Sequence, residues 1–269
     1  MVSRAHFPRL LARVAWVALH TLSDQHFGVP VAWKATHDWV ALDGKVLRGT
    51  LASGDKPSVV FAVRHASRTL LAHTPLPGSK ASAIAVGRDL LKPSQRAAHN
   101  VTLEAPHCHP HTTAHRHQAG GQDVIQVKGN QPLLLTPGQQ VAATAVPLGS
   151  QAECETGHGR RTTREGRCLG IKALNVAPRW SDSGVHPLVV MKRHPCTLAT
   201  QQTTCATASY LSNQGLSTDP HAQALALTGA IRQPWHVESD NWIRAVTWEE
   251  DNVKTTSAKQ AHGMGCLRR

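Results

Sequence analysis

The chain has 269 residues, enough to bury a substantial core without disulfide or metal staples. Lysine and arginine outnumber aspartate and glutamate by 29 to 17, and the resulting charge of +12, to which eighteen histidines can add, argues for a polyanionic partner, nucleic acid first because the basic residues are dispersed along the chain. Six cysteines at irregular spacings without a CxxC pair signal neither a zinc ribbon nor a disulfide framework and suit a reducing, cytoplasmic setting, and no apolar run of about eighteen residues is available to span a membrane. In chain order, residues 7–22 carry apolar positions at helical spacing, ending near Ser23 and Asp24, with His6, Arg9 and Arg13 arguing against a signal peptide. A strand is expected from Trp39 to a tight turn at Asp43-Gly44, then an antiparallel meander over 57–66 and 68–76. A helix precedes Pro93, an extended run over 99–108 ends in Glu104, a helix over 111–119 stops at Gly120-Gly121, and 123–131 is again a strand. From about 132 to 200 glycine, proline, threonine and glutamine separate short apolar pieces, which predicts a β-rich insertion; 220–251 is helical except at Pro234. Strands and helices in this order predict an α/β fold.

The chemistry of interest lies in acidic residues at element ends. Cutting and joining phosphodiesters requires an activated hydroxyl and a stabilised leaving oxygen, and two metal ions held by carboxylates supply both. Mg²⁺ takes oxygen ligands, so Asp or Glu must be gathered from distant segments. Asp43, Glu104 and Glu238 are the candidates.

The segments ALDGKVLRG (41–49), VTLEAPHC (101–108), GGQDVIQVKGNQ (120–131), GHGRRTTR (157–164), SYLSNQ (209–214) and IRQPWHVESDNWIRAVTWEED (231–251) resemble, in order, the signature blocks of DDE-type insertion-sequence transposases that include the H-repeat-associated proteins. The resemblance covers the chain from about residue 30 onward. It implies a ribonuclease-H-like mixed sheet flanked by helices, with the β-rich insertion 132–200 before the last catalytic helix, and a catalytic domain over 31–269. Residues 1–30 then look like the remnant of an N-terminal helical region in a 5′-truncated reading frame. It also implies Mg²⁺, or Mn²⁺, held by Asp43, Glu104 and Glu238; DNA as partner, both element ends and target; a dimer on DNA; and a bacterial, nucleoid-associated location.

Five positions depart from the family pattern. Glu104 stands where the family has aspartate, Thr162 replaces an acid, and Pro234, Ser239 and Asn241 replace residues around the last block. An added methylene shifts a carboxylate by about 1.5 Å, an error able to cost about a hundredfold in rate. A catalytically inactive remnant that at most binds DNA is therefore the alternative.

Lys45 and Arg48, and Lys128 with Asn130 and Gln131, are candidates to face phosphates; His158, Arg160, Arg161 and Arg164 form a denser basic cluster, and Arg232 lies near the last block. Trp235, Glu238 and Trp242 at i, i+3 and i+7 share one face of the expected last helix, with the tryptophans read as core. The segment PHCHPHTTAHRH (106–117) is metal-like in composition but matches no standard zinc spacing, so surface histidines are expected there.

Overall fold

Continuous β-branched and aromatic runs between residues 39 and 76 make three paired strands, β1 (Trp39–Val46), β2 (Ser58–Arg64) and β3 (Leu70–Leu76), in the computed structural model of the chain. The structure describes residues 6, 9–10, 13–26, 39–46, 58–76, 80–91, 99–171, 178–234, 237, 239 and 242–247. They fall in two units, 1–99 with 234–269, and 100–233.

In the first unit β1, β2 and β3 form the expected antiparallel meander, closed between β2 and β3 by a bond from the Arg64 N–H to the Thr69 carbonyl (2.9 Å). Helices α1 (Trp16–His26) and α2 (Lys80–Leu91) complete it. Ala41, Val59, Phe61, Val63, Leu70 and Val237 form its core cluster. Two expectations are corrected. The strand does not turn at Asp43-Gly44: Gly44, Lys45 and Val46 pair with Val60, Val59 and Ser58, because ladder bonds to a long buried partner outweigh the local turn preference of the dipeptide. Of the helix expected over 7–22, residues 7, 8, 11 and 12 lie outside the described residues, 9, 10 and 13 are helical, and the helix Trp16–His26 runs past the expected end near Ser23 and Asp24.

The second unit holds β4 (Asn100–Leu103), α3 (Pro110–Gln118), β5 (Asp123–Val127), α4 (Pro132–Thr144), β6 (Gly149–Gly157), β7 (Arg160–Gly170), β8 (Pro187–Thr197), β9 (Ala206–Ser212) and α5 (Pro220–Arg232). Its strands form a mixed sheet in the order β4-β5-β9-β8-β7-β6, with β4 and β5 parallel and the rest antiparallel. The sheet is flanked by helices: Gly138 of α4 lies against Leu188 on one face, and Thr228 of α5 against Gly166 on the other. The strands β6 to β8 make the stretch from Gly149 onward β-rich, but the first part of the expected insertion 132–200, expected to lack helix, is α4. Pro132 sits at the helix start, where no N–H is needed, and Leu134, Gly138 and Val141 bury one stripe. Among the described residues no helix is long and apolar enough to cross a membrane.

Candidate functional site

Asp43 lies in mid-strand, opposite Phe61. Alternation puts it on the same face of the meander as Ala41 and Lys45, the face whose partners Val63, Phe61 and Val59 build the core cluster. Val237, immediately before Glu238, is buried in that cluster at 5 % exposure. Strand β1 and Val237 therefore meet at one face of the first unit; Glu238 lies outside the described residues, as do Arg48 and Trp235. Lys45, expected on the surface beside phosphates, is 8 % exposed, because the continued strand turns it to the covered face. Trp242, expected in the core, is 61 % exposed.

In the second unit Glu104 follows β4 directly, as expected. Its neighbours Leu103, Ala105 and His107 are buried and Glu104 is exposed, at the head of a single 3₁₀ turn in which the His107 N–H donates to the Glu104 carbonyl (2.9 Å). Leu103 pairs with Ile125, so Glu104 and Lys128 leave the parallel pair at the same, carboxyl-terminal end, where open α/β sheets present their ligand sites. Lys128 is exposed. Asn130 and Gln131 serve the turn: the Asn130 amide donates to the Ala105 carbonyl (2.7 Å) and the Gln131 amide to the Cys108 carbonyl (2.8 Å). Arg179 then donates to Oε1 of Gln131 (3.0 Å). These amides satisfy carbonyls of the partly buried loop that follows Glu104.

The basic cluster of the insertion divides in two. Gly157 pairs with Arg160 across a two-residue turn in which His158 (φ 51°) and Gly159 (φ 69°) both take the left-handed conformation, matching the twist of the flanking strands. His158, Arg160 and Arg161 are exposed at this tip. Arg164, on the same face of β7 as Arg160 but further from the tip, is 7 % exposed and pairs with Glu155 (2.7 Å) and Glu153 (4.0 Å). Arg232 of α5 reaches the same two carboxylates, Glu153 at 2.7 Å and Glu155. The hydrogen bond from Arg164 holds the Glu155 carboxyl below the usual carboxylate range, with Arg232 and Arg193 adding to the pull. Arg164 and Arg232, read from sequence as DNA contacts, thus clamp α5 to the hairpin.

Two further groups escaped the sequence reading. Arg116, inside the histidine-rich segment, is fully buried and bonds through Nε to Asp123 and at 3.1 Å to the Gln122 carbonyl. The Asp123 N–H donates to Asn213 Oδ1 (2.6 Å), and Asn213 donates to the Gly121 carbonyl (2.9 Å), which pins the 209–214 block to the start of β5. Burial pushes the Asp123 carboxyl up to about 6, against the pull of Arg116 and His117. The available signal was Thr112, Thr113 and Arg116 at helical spacing on one face, all buried, hidden by the alternating histidines. The segment is not one metal cluster. His107 is buried, and burial pushes the neighbouring Cys108 thiol up to about 12, against the pull of Arg179. Among the described residues no three His, Cys, Asp or Glu side chains gather to hold a metal.

No family model matches the chain, and no curated protein matches it.

Proposed function

We propose that the chain is a DNA transposase with a ribonuclease-H-like core, cleaving element ends and transferring strands. The observation that carries this is the meeting of the Asp43 strand and Val237, the sequence neighbour of Glu238, at one face of the first unit, in a chain whose second unit presents Glu104 and Lys128 at the carboxyl ends of two parallel strands. The succession of three antiparallel strands, a helix, a strand, a helix and a parallel strand supports the core assignment. We assign Asp43, Glu104 and Glu238 to Mg²⁺, with Mn²⁺ as substitute, because hard cations take carboxylate oxygen. When bound, the cation activates the attacking oxygen and stabilises the leaving one. The described residues do not by themselves assemble a cage.

The protein's own part is to hold and orient. Asn130 and Gln131 anchor the turn after Glu104, and Arg160, Arg161 and Lys128 offer exposed cations, with the exposed His158 side chain beside them, to the backbone of element ends and target DNA. A second reading, a remnant that binds DNA without cutting it, is favoured by Glu104 in place of the shorter aspartate. The test is Mg²⁺- and Mn²⁺-dependent nicking of a duplex carrying the flanking element end, by the full chain and by Asp43→Ala. Nicking by the first alone supports the transposase; salt-sensitive binding with no nicking selects the second reading; neither nicking nor binding overturns both.

A further inference from the structure

We propose that His111 and His115 form a two-imidazole chelate for a divalent transition ion, Cu²⁺ foremost and then Ni²⁺ or Zn²⁺, on the outer face of α3. Four residues apart on a helix, two side chains stand one above the other on one face, close enough for both rings to reach one ion. Both histidines are exposed, while Thr112, Thr113 and Arg116 of the same helix are buried.

The helix that carries the pair is held at both ends and along its inner face. At its start Nδ1 of His109 accepts the His111 N–H (3.3 Å), and Pro110 occupies the first turn. At its end Gly120 takes φ 76°, its N–H bonds the His117 carbonyl (3.0 Å), and the Gly121 N–H bonds the Arg116 carbonyl (2.9 Å), a paired closure that fixes the last turn. Arg116 anchors the inner face to Asp123. The two rings are therefore presented on a preformed support, so that binding does not have to order the helix.

The other histidines of the segment do not extend the set. His107 is buried, His109 uses Nδ1 for the helix start, and the His117 ring packs against Gly184. Two imidazoles with water completing the shell suit borderline ions, with copper(II) strongest in the first transition row, and do not suit Mg²⁺. The site is thus chemically separate from the carboxylates assigned above and stands whether or not the chain acts on DNA.

The experiment titrates Cu²⁺, and separately Zn²⁺ and Mg²⁺, into chelator-stripped, tag-free full-length protein by calorimetry, and follows thermal unfolding with and without Cu²⁺. The proteins compared are the natural chain, His111→Ala, His115→Ala and, as control, His158→Ala. The expected result is a tightest Cu²⁺ site weakened at least about tenfold in each of the first two variants, a scale that even outer-shell partners of a metal reach. The Cu²⁺-dependent rise in Tm disappears with it, His158→Ala matches the natural chain, and Mg²⁺ produces none of these effects. Survival of the tightest site in both single variants, or its equal loss in His158→Ala, overturns the proposal. His111→Gln and His115→Gln repeat the comparison if circular dichroism shows that an alanine variant has lost its helix.

Discussion

Arg116 and Asp123 show how much one buried pair decides. Removing one member of a buried ion pair strands the other charge and costs about 3–5 kcal/mol. Arg116→Ala is therefore expected to lower urea-unfolding stability by that amount, well beyond the effect of His111→Ala, roughly 140° away round the helix surface. Asp123 gives a pH signature. Its folded carboxyl, at about 6, lies above the ordinary 3.8, so the folded chain holds the proton more tightly than the unfolded one. The stability this group contributes is fully present below about 4 and is lost as pH rises through about 6. The stability difference between the natural chain and Asp123→Asn should change by a few kcal/mol across that window, measured by denaturant unfolding at a series of pH values, and be flat above pH 7. A difference independent of pH between 4 and 6 would remove Asp123 as the titrating group.

At the scale of elements, the hairpin β6–β7 and helix α5 behave as one piece. Gly166 lets α5 approach β7 so closely that a Cβ there would collide with the Thr228 side chain. Gly166→Ala is expected to destabilise the chain by about 1–3 kcal/mol, read as a lower Tm, while Gly157→Ala, where a Cβ meets nothing within 4 Å, has a smaller effect. The clamp of Arg164 and Arg232 on Glu153 and Glu155 sets a second contrast. Arg160→Ala with Arg161→Ala should weaken DNA binding and flatten its salt dependence without lowering Tm, whereas Arg164→Ala should lower Tm. Equal effects of both on Tm would contradict the division. Sequence alone located the meander, β4, α3, β5 and α5 because period and turn chemistry are local, and it gave β6 to β8 only as a β-rich stretch. It missed α4, whose prolines and glycine obscure a stripe that becomes apolar only against Leu188, and it placed a turn at Asp43-Gly44 because pairing with β2 is a long-range effect. Arg160 and Arg164 share one strand, one face and one charge; only their distance from the hairpin tip and the two glutamates that Arg164 meets across the ladder separate them.

For the whole molecule, the acidic residues were legible as candidates and Glu104 sits at a strand end as its position suggested, but spacing does not tell which carboxylates converge. Asn130 and Gln131 likewise reveal their role only once the turn they support exists. The central claim is that Glu104 is one of the carboxylates that govern DNA cutting, held with one methylene more than the family pattern. The most direct measurement is the single-turnover rate of Mg²⁺-dependent nicking at an element end for the natural chain and Glu104→Asp, with DNA affinity measured in parallel. The account predicts that Glu104→Asp nicks faster, by up to about a hundredfold, at unchanged affinity; rates that do not differ, or a change in affinity alone, would contradict it.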